Sequence, residues 1–459
     1  MVPVSHFLEA QLFQLISNFP ITLVKIFSKV SRAAKTDFIK VSSWSAASTL
    51  VKMATSFVSI KVVSSVVGPP GIAMVGQFLN GITMVSMLAT GGIGQGVTKF
   101  IAQFYDEPEK QKSVITNALK ITLAFTALMS LLVILFSSKL TLYIFKTSQY
   151  RSLIILFGLS IALYSLNSLL VSILNGFKAF KKFVLVNIAS SLFSLCLTLF
   201  LVLRLGLFGA LLNCVASQSV VILVTCYFLY KEPWFAALFK SSSVDWSIIK
   251  KLSGFTLMAL TSAIVVPFAQ LSIRSFITTH LSLTDAGLWE GINRLSGMYL
   301  MLITTSISIY YLPRLAEIKE NHLLRHEIIK TAKLVLPPLA FGCLVIYLSR
   351  DLLIWLIFSK EFYAMRSLFA FQMLGDFLKI ASFFLAFIFW AKGMTKTYIA
   401  AELVFNFILV ILVRLGVSYF GLQGSVYAYA LTYLLYLITV LVIFRRLLFH
   451  NTISLKVYS

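Results

Sequence analysis

Between Lys61 and Lys99 the chain carries no charged residue, and that gap sits inside a longer apolar hairpin spanning Ser42–Phe104. Two apolar segments flank a Pro69-Pro70-Gly71 turn. Each exceeds roughly 20 residues, enough to cross about 30 Å of hydrocarbon as a helix. In that solvent every backbone amide must be satisfied within the segment, which leaves a helix or a closed barrel. One residue is out of place: Lys52, near the middle of the first segment. An ammonium at that depth costs about 2.5 kcal/mol or more unless it faces protein or water. The hairpin therefore implies a membrane, helices and a polar interior.

The pattern repeats at an offset near 215. Gly71 and Gly81 recur as Gly287 and Gly297, Lys99 as Arg314, and Arg151-Ser152-Leu153 as Arg366-Ser367-Leu368. Lys178 and Lys182 recur as Lys392 and Lys396, Arg204-Leu205-Gly206 as Arg414-Leu415-Gly416, and Gly209 as Gly424. Such a run in chain order predicts two halves of similar topology, a common transporter plan.

Of the 459 residues, 59% are apolar and 12% charged, against about a quarter charged in a soluble domain. The net charge of +23 does not indicate nucleic acid, because the charges lie in short loops between apolar runs. The four cysteines sit inside apolar segments without CxxC spacing and read as core residues. His322 and His326, four apart beside Arg325, read as a solvated basic face, so no metal site is expected.

The resulting fold is an all-α membrane protein with twelve transmembrane helices in two pseudo-symmetric six-helix bundles. Residues 1–40 form a basic N-terminal extension, expected as an amphipathic helix on the cytoplasmic face. The alternative is a start of translation nearer Lys40. The first bundle covers 41–230, a cytoplasmic linker 231–251, the second bundle 252–446, and a cytoplasmic tail 447–459. The spans fall at about 42–66, 72–97, 113–137, 152–176, 183–203, 208–230, 252–278, 287–311, 330–349, 365–391, 397–414 and 423–444. Placing the N-terminus inside puts most of the 39 lysines and arginines on the cytoplasmic side. Both termini are then cytoplasmic in a multi-pass plasma-membrane protein. No loop is long enough to hold a soluble catalytic domain. Gly91, Gly92, Gly94 and Gly96 predict local unwinding or close approach, and Pro267 a kink.

Charged residues at depth mark function in a membrane protein. Lys52, Asp376 and Lys379 lie near mid-depth, with Glu402 and Arg294 about a quarter of the way in. Asp376–Lys379 and Glu290–Arg294 are spaced to pair along one helix. Lys61, Lys120 and Arg274 lie nearer the ends, where they can snorkel. A hydrated cavity with basic walls would attract a phosphate-bearing substrate. A carboxylate there could bind H⁺ or Na⁺; Asp376 and Glu402 are the candidates, with Glu290 third. Trp289, Tyr299, Tyr310 and Tyr311 could stack on sugars, although packing accounts for most such aromatics.

Longer motifs narrow the reading. They are Trp44 through Lys52, Gly96-Val97-Thr98-Lys99, Phe255 through Leu260, Tyr311-Leu312-Pro313, Lys333 through Pro337, Arg350-Asp351, Ala364 through Ala370, Gly375-Asp376 with Lys379, and Ala401-Glu402. On these, over about residues 40–446, the chain resembles the Wzx-type polysaccharide flippases of the multidrug/oligosaccharidyl-lipid/polysaccharide exporter superfamily, on the side serving enterobacterial common antigen. The resemblance implies carriage of an undecaprenyl-pyrophosphate-linked oligosaccharide, an O-antigen or common-antigen repeat unit, from the cytoplasmic to the periplasmic leaflet of the bacterial inner membrane. It implies no covalent chemistry and no cofactor beyond a coupling ion, H⁺ or Na⁺. Its partners would be the lipid-linked glycan, the bilayer, a polysaccharide polymerase and a chain-length regulator, with no nucleic acid. Lys52, Arg274, Asp376, Lys379 and Glu402 fall at the family's charged positions; Glu290 and Arg294 depart from them. Lys52, Arg274, Arg294 and Lys379 would meet the pyrophosphate; Asp376, Glu402 and Glu290 would supply the cavity carboxylates. Two alternatives stand: a multidrug/cation antiporter of the same fold, and a membrane glycan polymerase or ligase.

Overall fold

The computed structural model describes residues 37–177, 179–232, 234–235, 245–318 and 320–449. The expected helix over most of residues 1–40, the central part of the 231–251 linker and the last ten residues of the tail lie outside them. All regular elements among the described residues are helical. In chain order they begin with α1 (Asp37–Ala89), α2 (Gly94–Gln103), α3 (Pro108–Leu135), α4 (Ser137–Phe145), α5 (Arg151–Gly176), α6 (Phe180–Leu229) and α7 (Trp246–His280). They continue as α8 (Leu283–Glu317), α9 (Asn321–Leu348), α10 (Arg350–Ile357), a 3-10 turn (Lys360–Leu368), α11 (Phe369–Ala391), α12 (Thr395–Phe420), α13 (Gln423–Ile443) and the short α14 (Arg445–Phe449).

Among the described residues, nine helical stretches are long and apolar enough to cross a bilayer. Two of these, Ser48–Ala89 and Lys181–Leu229, run 42 and 49 residues, each two crossings joined by a break. The break in α1 is at Gly68 (φ 63°, ψ −173°), and Pro69 and Pro70 follow without an N–H to continue the ladder. The break in α6 is at Gly206 (φ 57°, ψ −131°). Counting α8, a 35-residue helix with an uncharged run from Leu295 to Leu312, gives the expected twelve spans.

The structure sharpens the repeat. Gly421 (φ 59°, ψ −147°) adopts nearly the backbone of Gly206, 215 residues earlier. Only glycine enters that region freely. A methyl group on Gly209 would strike the Leu201 carbonyl, and one on Gly424 the Gly416 carbonyl, again 215 apart. The equivalence of Gly209 and Gly424 therefore holds, whereas the counterpart of Gly206 is Gly421, not Gly416. Short helices α4 and α10 also occupy equivalent places, after α3 and α9. The halves differ at Gly91 and Gly92, both at positive φ, where the hairpin partner unwinds before α2; α8 runs on unbroken.

Helix starts follow local chemistry. Asp245 caps α7, accepting from the amides of Ser247 at 2.9 Å and Ile248 at 3.3 Å, so the helix that carries the seventh span begins before residue 252. Ser282 caps α8 by accepting from the Asp285 amide at 2.9 Å. Large apolar side chains such as Leu159, Phe200, Phe341 and Phe407 are more than 60% exposed, the outward-facing pattern expected against hydrocarbon.

Candidate functional site

One end of the molecule is closed by contacts between the halves. Gly287 on α8 packs so closely on the Pro69 backbone that a Cβ would overlap its carbonyl. One turn further, Gly76 on α1 accommodates the Glu290 carboxylate. Lys61 adds a latch, its Nζ donating to the carbonyls of Trp355 at 2.6 Å and Phe358 at 2.7 Å. These are the orphan carbonyls at the C-terminal end of α10, where a cation is favoured. Lys61 therefore does not snorkel; it ties the first half to the second.

Beneath the seal three ions form a buried triad. Arg294 Nε donates to Glu290 Oε1 at 2.8 Å, and Arg274 Nη2 pairs with Glu290 Oε2. Arg274 Nη1 donates to Gln77 Oε1 at 3.1 Å, and the guanidinium lies 5.5 Å above the Trp289 ring. Asn80, its amide assigned with the oxygen toward the guanidinium, accepts from Nη1 at 3.1 Å. Arg274 is only 2% exposed, so the expected snorkelling is replaced by an ion pair with Glu290 inside the second half and hydrogen bonds to Gln77 and Asn80 of the first. Glu290 is clamped by two guanidinium groups rather than presented to a cavity.

Below the triad lies a cavity of about 670 Å³. Its walls come from α1, α5, α6 and α8. Arg294 is seven residues, about 10 Å of helix, below Gly287; Lys52 is sixteen residues, about 24 Å, below Gly68. The chamber thus starts just under the seal and runs toward the opposite end. Its charged lining consists of Lys52 and Arg294, with no carboxylate among the described residues. Lys52 is exposed, and Arg294 Nη2 has no protein partner among the described residues. The remaining wall is largely hydroxyls and amides on α6, including Asn187, Ser191, Ser194, Asn213 and Gln218.

The other five residues singled out from the sequence are not on this wall. Arg274 and Glu290 are held behind it by the triad. Asp376, Lys379 and Glu402 belong to a separate polar cluster in the second half. Asp376 is fully buried and accepts from Ser296 Oγ at 2.6 Å, Tyr429 OH at 2.8 Å, Gln372 Nε2 at 3.4 Å and Tyr299 OH. Lys379 does not form the expected pair with Asp376 within 4 Å. It lies over the rings of Tyr433 at 5.3 Å and Tyr429 at 5.9 Å, with Glu402 as a charged neighbour. Helical geometry explains the division. Arg294, Gly297 and Met301 share one face of α8 and meet the cavity, while Ser296 and Tyr299 share another and meet α11.

The aromatic stacking expectation fails for a similar reason. Tyr311 is fully buried between Phe384 and Phe387, Trp289 is 4% exposed, and Tyr299 is bound to Asp376. The Tyr310 side chain lies outside the described residues. Tyr164 is the aromatic residue that lines the cavity among the described residues. The α6 stripe is not among the residues singled out from the sequence, yet it carries a signal: Asn187, Ser190/Ser191, Ser194 and Thr198 recur at helical spacing inside an apolar run.

A polar chamber enclosed by two matched helical bundles, sealed at one end and wrapped in an apolar surface, defines a membrane transporter by its architecture. The model of the polysaccharide biosynthesis protein family matches residues 38–319, and the chain belongs to that family. It is 32% identical over 398 residues to the lipid III flippase of Escherichia coli (strain K12), covering 86% of this chain and 95% of that protein. The lipid III flippase of Shigella flexneri gives the same values. Among solved structures, an inward-facing MATE family multidrug resistance transporter of the MOP superfamily superposes with a TM-score of 0.72 at 16% identity, over 87% of this chain and 96% of that one. An outward-facing MATE structure gives 0.68 at 16% identity, over 91% and 98%. The chain therefore shares that fold.

Proposed function

We propose that this protein is a flippase carrying an undecaprenyl-pyrophosphate-linked oligosaccharide from the cytoplasmic to the periplasmic leaflet of a bacterial inner membrane, without covalent chemistry. The single observation that carries the reading is the cavity lining: two cations, many hydroxyls and amides, and no carboxylate among the described residues. Cations offset the charge of a pyrophosphate, and neutral polar groups replace the hydration of sugars. A cavity built for cationic drugs would need the opposite sign. The relationship to lipid III flippases supports the same substrate class.

The mechanism follows from desolvation. A pyrophosphate cannot enter hydrocarbon, since unpaired ions there cost far more than the few kcal/mol available from binding. The chamber takes the headgroup from the cytoplasmic side while the polyprenyl chain stays in lipid. Rocking of bundle 41–230 against bundle 252–446 then breaks the Gly287–Pro69 seal and opens the periplasmic side. In this scheme both termini are cytoplasmic, and the released repeat unit is available to a polymerase and its chain-length regulator. Glu402, beside Lys379, is the carboxylate best placed to exchange a coupling proton; Asp376 already accepts four hydrogen bonds.

Lys52→Ala tests the reading. Surface glycan should be lost in a complementation assay while membrane insertion is unchanged. Undiminished glycan at normal expression would overturn it.

A further inference from the structure

The charges of the cavity lining are confined to two of its walls. Lys52 and Arg294, on α1 and α8, are accompanied there by Met53, Met298 and Met301 and by the hydroxyls of Thr55, Ser56 and Ser59. The α6 wall is uncharged and carries Asn187, Ser191, Ser194, Asn213, Ser217 and Gln218. The first leg of α6 sets Asn187, Ser191 and Ser194 on one face, and the second leg returns Asn213, Ser217 and Gln218 alongside it. From Asn187 to Thr198 this stripe runs about 16 Å.

Polar side chains in membrane helices often serve helix packing. Part of this set does: Asn213 Nδ2 donates to Thr198 Oγ1 at 3.0 Å, joining the two legs. Several groups are satisfied by their own helix: Asn187 Nδ2 donates one N–H to the Phe183 carbonyl at 2.9 Å and keeps the other, Ser191 Oγ donates to the Asn187 carbonyl at 2.8 Å, and Ser217 Oγ to the Asn213 carbonyl at 2.6 Å. Packing does not explain the remainder. These side chains also border the chamber. Asn213 Oδ1 and Ser190 Oγ have no protein partner among the described residues, and a buried amide or hydroxyl left so is costly. Amide groups offer a donor and an acceptor at once, which is what a ring of sugar hydroxyls and acetamido groups presents.

We infer that the α6 wall reads the glycan, with Asn187, Asn213 and Gln218 as specificity-determining residues, while Lys52 and Arg294 hold the pyrophosphate shared by every such carrier. The inference rests on the proposed function and assigns a division of labour within its site. Pyrophosphate binding then supplies affinity without discrimination, and the α6 amides discriminate, because a site built to hydrogen-bond a hydroxyl rejects an analogue that leaves its groups unpaired.

The test uses full-length protein in nanodiscs and two probes: bare undecaprenyl pyrophosphate, and the glycosylated form extracted from a flippase-deficient strain of the same organism. The variants are Asn187→Leu/Asn213→Leu/Gln218→Leu and, as a milder change, Ser191→Ala/Ser194→Ala. Wild type should bind the glycosylated form more tightly by about tenfold or more, the factor equal to roughly 1.4 kcal/mol. The triple variant should bind both probes alike, with affinity for the bare carrier unchanged, and that unchanged value also reports an intact fold. The double serine variant should fall between. A triple variant that keeps the preference, or loses both probes in parallel while the serine variant behaves as wild type, overturns the inference. Wild type binding neither probe overturns the proposed function itself, and the inference with it.

Discussion

Gly287→Ala is the sharpest perturbation of the seal, because it adds one methyl group and removes no interaction. Gly287 lies near the start of α8, and a Cβ built there overlaps the carbonyl and Cα of Pro69. The obstacle is backbone, bracketed by the Gly68 turn and Pro70, so no side chain can swing aside. Overpacking of this kind costs about 1–3 kcal/mol. Alanine also favours the helix over glycine by about 1 kcal/mol, but in every conformation, so that gain cancels between sealed and open states. A penalty of about 2 kcal/mol confined to the sealed state shifts the sealed-to-open ratio roughly 30-fold. Spin labels on Val66 and Leu283, in a background without Cys196, Cys214, Cys226 and Cys343, bracket the contact. Pulsed dipolar spectroscopy in nanodiscs should show the short distance of the sealed form giving way to a longer one, and turnover should fall because resealing becomes slow. An unchanged distance distribution in a well-expressed variant would mean that Gly287 and Pro69 move together and that this contact is not the gate.

The triad gives a second expectation. Arg274→Ala removes one of the two guanidinium partners of a buried carboxylate and should lower stability by about 3–5 kcal/mol, read as a reduced melting temperature in detergent. Arg274→Ala/Glu290→Ala should recover much of that loss; if the double variant melts no higher than the single one, the three ions do not act as one electrostatic unit. Lys61→Met deletes the cation capping α10 and should cost about 1 kcal/mol and raise the open population in the same spectroscopic assay. A sealed population equal to wild type would remove Lys61 from the gate.

Hydropathy and helix breakers are local properties, so the membrane class, the number of spans and the doubled topology are legible in the amino-acid order itself. The turn at Gly68-Pro69-Pro70 is encoded within a few residues, and so is the break at Gly206. Lys52 stands out as a candidate site residue because a lone ammonium at mid-membrane is costly wherever its helix packs. Rotation of one helix about its axis is a different matter. It depends on neighbours hundreds of residues away, and it puts Arg294 on the chamber wall, Glu290 and Arg274 behind it, and Ser296 and Tyr299 against Asp376. Spacing alone allows Asp376 to pair with Lys379. The hydroxyls converging from α8 and α13 take its lone pairs instead. The α6 stripe has the periodicity of a helix face, but a polar face in an apolar run gains meaning only when another helix, lipid or open space is found opposite it. Packing alone settles that, because a side chain's solvent is whatever the rest of the chain leaves beside it.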